Sequence, residues 1–434
     1  MFRKILGTSA TRVLHAFSNI LILWMAANYL GKESWGLAGL IMVDVSLILL
    51  LTDMAGNSVV YFMSRRSFFS LAKWSLLWVG IVLVITVILF RIMMFIPSVY
   101  HLVIPEGYSI HIVILVLLAA IHGLFLNFFL GKEKIQYYNS LFSLQFINMV
   151  LAMAAFIFVF KINDVMAYIS SFYVSYIITI ITGMFLIWPI YLNDHSKQHA
   201  NLREMLSYGL MTQISSIVHL LNKRLGFYFI RKFSGLGSVG IYQSAAQITE
   251  GLRIIGQSIA LVQMSAISNS KDEGYAKQLT IQLLKVSVLL TAFAASLLSL
   301  VPTDWFTFLL SKDFSDIKVL ILVLNPGVVA LAANAVFSHY FSGTGRPAYN
   351  MIASVVGLLV MLPALLVLIP KFGMIGAAAG ATIAYLATVG YQFFVFRRLT
   401  GLKITELLIK KSDFQNLSFH INNMLNVMRS KLKP

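Results

Sequence analysis

Apolar residues run along this chain in stretches of 20 or more, interrupted by short clusters of Lys, Arg, Ser, Gly and Pro. A helix needs about 20 mostly apolar residues to cross a bilayer. Twelve stretches reach that length, at about 8–30, 36–63, 72–96, 108–130, 138–160, 165–191, 205–230, 236–264, 280–301, 317–342, 348–369 and 373–396. The segment 97–107, bracketed by Pro97 and Pro105, reads as a loop, and 305–310 reads as a short interfacial helix. The first stretch is too long and too polar for a signal-peptide core, and no small-residue cleavage site follows it.

Composition narrows the class. Of 434 residues, 59% are hydrophobic and 11% charged, against roughly 25% charged in a soluble domain. A soluble enzyme and a disordered chain are excluded. With Cys 0, a disulfide scaffold, thiol catalysis and thiolate metal sites are excluded too. No Walker-type or dinucleotide Gly-rich loop occurs, which argues against direct ATP drive. The net charge of +17 is mostly topology. If the first residue lies in the cytoplasm and sides alternate, twenty loop and tail Lys/Arg fall on the cytoplasmic side and six outside. That is a positive-inside bias, with both termini cytoplasmic and no nucleic-acid partner implied. After Phe396, apolar Phe414, Leu417, Ile421, Leu425 and Met428 recur at helical spacing among lysines, as in a helix lying on the inner leaflet.

The chain repeats itself. An offset of 204 pairs Thr8 with Thr212, Thr11 with Ser215, His15 with His219, Ser18 with Asn222 and Gly36 with Gly240. Offsets of 212 and 210 pair Phe129, Gly131, Lys134 and Tyr137 with Phe341, Gly343, Arg346 and Tyr349, and Lys161 with Lys371. The fold class expected is an all-α polytopic membrane protein, with twelve transmembrane helices in two parallel six-helix bundles around a central cavity. Its expected divisions are 1–191, a cytoplasmic linker 192–204, 205–397 and a basic amphipathic tail 398–434. The run from Gly373 to Gly380 reads as close helix packing.

Charge inside a span is costly, so each intramembrane ion is a candidate for function. Arg91, Lys285 and Lys318 lie near span ends, where they can reach the interface. Arg12, Lys223, Arg224 and Arg253 remain, against Asp44, Asp53 and Glu250. By helical phase, Thr8, Arg12, His15 and Asn19 share a face, as do Thr212, Ser215, His219, Asn222 and Lys223. Gln243, Gln247, Glu250, Arg253 and Gln257 share a third, and Ser46, Asp53, Asn57 and Ser64 a fourth, with Asp44 pointing the other way. Spans one, two, seven and eight thus offer polar faces to one hydrated cavity. Glu250 and Arg253, three apart, can neutralise each other, and Asp53 can pair with Arg12. That leaves Lys223 and Arg224 without obvious partners, a condition that water or an anionic substrate would relieve. His15 and His219 suit proton coupling, and equally a hydrogen bond within a helix. Together with His15, His219, Asp53 and Glu250 are read as a coupling or charge network.

Several stretches taken in order resemble the polysaccharide flippases, the O-antigen and capsule-type transporters of the multidrug/oligosaccharidyl-lipid/polysaccharide exporter superfamily. They are Leu6-Gly7 through Gly31, Trp35-Gly36-Leu37, Thr52 to Gly56 with Tyr61 and Arg65, Ser207 to Leu210, Val239 to Tyr242, Gly343 to Arg346, and Gly373 to Gly376. The pattern departs at Leu225-Gly226, where many members carry an acid after the seventh-span base. The resemblance implies an oligosaccharide on a polyprenyl diphosphate, moved from the cytoplasmic to the periplasmic leaflet of a bacterial inner membrane. It implies membrane lipids and other polysaccharide-assembly proteins as partners. Arg12, Asn19, Lys223, Arg224, Arg253, Gln243 and Gln257 would then bind diphosphate and sugar. No catalytic residue, metal or cofactor is expected, and the drive stays open among protons, sodium and the substrate gradient. A multidrug antiporter of the same superfamily is the alternative transporter, though a cationic drug calls for an acidic cavity. A glycosyltransferase, polymerase or ligase is the alternative enzyme, although the outer loops hold no paired-carboxylate spacing.

Overall fold

The computed structural model describes residues 2–63, 65–192, 198–253, 256–257, 263, 266–267 and 272–407. The helix expected over the tail lies beyond residue 407 and so outside the described residues. In chain order the helices are α1 (Phe2–Met25, extended by a π turn over Ala26–Leu30), α2 (Gly31–Phe62), α3 (Phe68–Met93), α4 (Pro97–Val103), α5 (Ser109–Gly131) and α6 (Ile135–Ala154, with a second π turn over Ala155–Val159). They continue as α7 (Val165–Leu192), α8 (Leu202–Gly251), α9 (Glu273–Leu300), α10 (Thr303–Leu310), α11 (Ile317–Gly343) and α12 (Ala348–Thr400).

Two of these are hairpins in disguise. α8 breaks at Gly235, at φ 83°, giving α8a (202–234) and α8b (236–251). α12 breaks at Gly373, at φ 57°, giving α12a (348–372) and α12b (374–400). The limbs of α12 lie side by side, since a Cβ at Gly376 would strike the Leu368 carbonyl and one at Gly380 would meet Leu365. The glycine run is therefore close packing, as its spacing predicts. Counted with these breaks, the described residues supply twelve long passes. Eight stretches are long and apolar enough to cross a membrane, two of them (Thr11–Phe62 and Ala348–Thr400) exceeding one pass. α8 is not among the eight, because its own polar side chains dilute its hydropathy.

Two boundaries differ from expectation. The expected loop 97–107 begins with a short helix, α4, started by Pro97, whose fixed φ suits a first helical position. The turn after the first span needs no loop, because Gly31 takes φ 78°, a torsion that only glycine adopts without steric cost. The interfacial helix expected over 305–310 is present as α10.

The two halves share their bends. Left-handed torsions occur at Gly31 and Gly235, and at Gly107 and Ser311, both pairs 204 apart. They recur at Glu133 and Gly345, and at Lys161 and Gly373, both pairs 212 apart. The halves also touch reciprocally. A Cβ at Gly36 would strike the Leu236 carbonyl and the Gly240 amide, and one at Gly240 would strike the Lys32 carbonyl and the Gly36 amide. Such mutual contact between equivalent positions is what a two-fold relation produces.

Three apolar cores follow from this arrangement. The largest joins both halves near the face that carries Gly31 and Gly235, combining Trp35 and Ile41 of α2 with Phe227, Ile230 and Tyr242 of α8 and Ile317 of α11. The other end, called here the basic face after its arginine-bearing turns, has two separate cores. One is built on Val59, Phe62, Leu124 and Phe129, the other on Phe337, Phe341 and Phe396. Large apolar side chains such as Val84, Ile88 and Ile92 of α3 point outward, as lipid-facing residues do.

Candidate functional site

The hairpin at Gly235 decides which charges meet. Because α8b runs back along α8a, the ring of Tyr242 rests edge-on against Phe227 at 5.5 Å, and two turns deeper Glu250 faces Lys223 and Arg224. Lys223 Nζ lies 3.6 Å from Glu250 Oε2 and an Arg224 amino nitrogen lies 3.9 Å from the same oxygen. The expectation that Lys223 and Arg224 lack a carboxylate is thereby corrected. Helical phase ranks positions around one helix but cannot show which residues a reversal brings opposite. The expected pairing of Glu250 with Arg253 is corrected as well, since Arg253 makes no ion pair among the described residues.

One oxygen shared by two cations at these distances is a loose neutralisation. Arg253 and His219 stand in the same electrostatic neighbourhood, so three basic side chains, Lys223, Arg224 and Arg253, stand against one carboxylate and the cluster keeps a surplus of basic groups. Nor is it sealed, because Lys223, Glu250 and Arg224 are 13%, 23% and 30% exposed. The Arg224 guanidinium also sits 5.3 Å from the Phe227 ring centroid, an arrangement that favours a desolvated cation. The buried phenols of Tyr168 on α7, Tyr242 on α8b and Tyr385 on α12b lie within electrostatic reach of these charges. Sequence reasoning missed them, because tyrosines on apolar faces read as core. Tyr168 brings the first half of the chain to the site.

The remaining candidates lie around this cluster rather than in it. Arg12 on α1 is exposed and makes no ion pair with Asp53 among the described residues, which corrects that expectation. His15 is held by α6: its ring packs against Phe142 and Phe146, at 5.7 and 4.1 Å, and Asn19 bonds its Nε2 at 2.9 Å. These contacts give His15 a hydrogen-bonding role within the helix. Asn19 also accepts, through its carbonyl, a bond from Gln247 at 3.1 Å, tying α1 to α8b. The Gln243 side chain fills the notch left by Gly39 on α2, and its buried oxygen has no hydrogen-bond partner among the described residues. Gln257 is exposed and Asp53 half-buried. Asn222 is buried and donates to the Ser354 carbonyl at 2.8 Å. The side chains of Asn57, Thr212 and Ser215, and Ser64 altogether, lie outside the described residues.

Asp44, which helical phase sets apart from its neighbours, is a buried tie between the halves. It is 4% exposed, and its Oδ1 accepts a hydrogen bond from the Tyr228 hydroxyl on α8a. Its direction away from the polar stripe was the available signal, since a buried carboxylate must face some donor.

Comparison with known proteins bears on the family and the fold. A family model described as polysaccharide biosynthesis protein matches residues 2–261. An uncharacterized membrane protein, MJ1068, of Methanocaldococcus jannaschii is 24% identical over 295 residues, covering 65% of this chain. The chain spans 57% of that relative's length. The fold is similar to that of the lipid II flippase MurJ in an inward closed conformation, with a TM-score of 0.73 and 17% identity over 100% of this chain and 94% of that one. It is similar also to an inward-facing multidrug resistance MATE family transporter of the MOP superfamily, with a TM-score of 0.71 and 15% identity over 88% and 94%. A match covering more than half of the chain, on a fold of this kind, places the protein: it belongs to the polysaccharide biosynthesis protein family and has the fold of the MOP transporter superfamily.

Proposed function

We propose that this chain is a flippase that moves a polyprenyl-diphosphate-linked oligosaccharide, an O-antigen or related repeat unit, from the cytoplasmic to the periplasmic leaflet of a bacterial inner membrane. The observation that carries the reading is the surplus of positive charge at Lys223, Arg224 and Arg253 over the single carboxylate of Glu250. A diphosphate crossing a low-dielectric core needs fixed cations to replace its water, and charge-assisted bonds from guanidinium and ammonium groups supply them. Glu250 keeps the cluster tolerable when the site is empty. Family membership supports a substrate from polysaccharide assembly, and a protein of the same fold carries the name of a lipid II flippase.

In this reading the phosphates bind between α8a and α8b, while Gln243, Gln257 and Asn19 meet the sugars. The polyprenyl tail stays in lipid. The halves 1–191 and 205–397 rock about their seam, with both termini cytoplasmic and no reaction catalysed. His219, beside the cluster, is the candidate for proton coupling. A cationic drug would meet repulsion at this site, which disfavours the multidrug reading.

Proteoliposomes holding a lipid-linked oligosaccharide test the proposal. The protein should accelerate transfer between leaflets, and Arg224→Gln or Lys223→Gln should slow it about tenfold or more, as loss of a buried charge-assisted contact does. Equal rates with and without protein, under neutral and imposed pH gradients, would remove the flippase reading. Wild-type rates in both variants would leave the charges a purely structural role.

A further inference from the structure

A second cluster of cations lies far from the one just described, at the basic end of the seam. There the last turn of α2 meets the first turn of α8. The rings of Tyr61 and Tyr208 stack with centroids 4.7 Å apart and 16° between planes. Arg65 folds over the Tyr61 ring, its guanidinium carbon 4.8 Å from the centroid, and donates to the Tyr61 hydroxyl at 2.9 Å. Beside it Arg66 grips Glu204 through one amino nitrogen at 2.9 and 3.1 Å and reaches Gln198 at 3.3 Å. Tyr61, Phe62, Arg65, Arg66, Gln198 and Glu204 enclose a cavity of about 290 Å³.

Three features make this more than a solvated turn. The cavity holds two guanidiniums against one carboxylate, so a positive charge remains after Arg66 and Glu204 cancel. The Arg66 Nε–H is buried and has no acceptor among the described residues, and such an orphaned donor is costly unless something bonds it. The exposed Arg65 and Tyr61 place a cation beside an aromatic face, the pair of surfaces that a phosphate joined to a sugar would use, one for charge and one for stacking. The cavity lies at the ends of two long helices, α2 and α8, where tyrosine and arginine side chains favour the membrane interface.

We infer that this cavity is a docking site for the diphosphate-sugar headgroup of the lipid-borne substrate, engaged before the headgroup reaches Lys223 and Arg224. The inference rests on the flippase reading and names a station that reading does not contain. Arg65 would swing from the Tyr61 hydroxyl to a phosphate oxygen, the buried Arg66 Nε–H would find its acceptor, and the first sugar would lie against Tyr61. Arg66 would stay anchored by Glu204, which sets its orientation.

Binding and transport separate the possibilities. The full-length protein in detergent should bind a fluorescent farnesyl diphosphate. Arg65→Gln combined with Tyr61→Ala should weaken that binding about tenfold, the loss expected of one charge-assisted contact near a surface. In proteoliposomes the same variant should raise the substrate concentration for half-maximal flipping by a similar factor and leave the maximal rate alone. Arg65→Lys should restore part of the affinity, keeping the charge without the fork. Unchanged probe affinity together with unchanged half-saturation would overturn the inference. So would a fall in maximal rate at constant half-saturation, which would make the Tyr61–Tyr208 stack a gate. Inorganic pyrophosphate displacing the probe as effectively as farnesyl diphosphate would overturn the lipid-borne source. Were wild-type protein to flip nothing, the flippase reading would fall while probe binding still judged the cavity.

Discussion

The seam between the halves is closed at both ends, and different forces close them. At the far end α2 and α8 meet backbone to backbone through Gly36 and Gly240, beneath one apolar core shared by both halves. Trp35 donates to Ser244 at 3.0 Å across the same interface, Asn28 reaches the Leu309 carbonyl at 2.7 Å, and Asp44 holds Tyr228. At the basic end the cores are separate. The seam there rests on the Met54–Gly209 approach, the Tyr61–Tyr208 stack, the Arg66–Glu204 pair and the burial of Met205 of α8 in the smaller core of the first half. Within a bilayer, close backbone packing and interhelical hydrogen bonds hold helices together, whereas exposed stacks and ion pairs each contribute about 1 kcal/mol or less. The basic end is therefore the weaker latch, and the end that should part first when the halves rock.

Substitutions can break that comparison at either end. Gly36→Leu should have the largest effect, since its side chain meets backbone that cannot move aside. A loss of about 3 kcal/mol is expected for overpacking of this kind, read as a lower melting temperature in detergent. An unchanged melting temperature would mean that the halves do not meet through Gly36. Tyr228→Phe leaves a buried carboxylate without its donor, which costs about 1–3 kcal/mol. It should loosen the far end, so that a cysteine introduced at Lys32 reacts faster with a membrane-impermeant thiol reagent. The chain has no cysteine of its own, so the signal carries no background. Gly209→Ala sets a methyl against the Met54 carbonyl at the weaker end. About 1 kcal/mol is expected there, with faster labelling at the basic face and little change at Lys32.

The smallest effect concerns the segment that follows α12. Glu406 joins Lys277 at 3.0 Å, and its carboxyl is held below the usual carboxylate range, first by the Lys403 backbone N–H and then by the Lys277 side chain. A depressed folded-state pKa contributes above the unfolded value and is lost as pH falls through the folded one. The tether should hold at neutral pH and release in acid, as pH falls below the ordinary glutamate range, seen as faster hydrogen exchange over residues 402–407. Exchange that does not change with pH would remove Glu406 from that role.

The passes and their order were legible because apolar length is a one-dimensional signal, and the repeat was legible because Gly36 and Gly240 mark a backbone contact that no other residue permits. The site was legible only in part. Lys223, Arg224, Glu250 and Arg253 stood out as charges in apolar surroundings, but their mutual placement depends on the reversal at Gly235, which sequence periodicity does not report. Asp44 was visible and its partner was not, because Tyr228 lies in a run (Phe227 to Ile230) that reads as plain core. Arg12 drew attention by the same logic as Lys223 and yet stands exposed on α1, since a stripe on one helix does not say which neighbour it faces.

Bends that recur at fixed offsets have a consequence for how such a molecule acquires direction. Positions 204 before Lys223, Arg224, Glu250 and Arg253 hold Asn19, Ile20, Ser46 and Leu49, so the same geometric slots carry ions in one copy and uncharged groups in the other. The duplicated skeleton tolerates this divergence because its turning points depend on torsion at Gly31, Gly235 and their counterparts rather than on what the passes display. A symmetrical frame alone would treat its two lobes alike. Placing the Lys223, Arg224, Glu250 and Arg253 charges on a single lobe gives it a handle and a fulcrum.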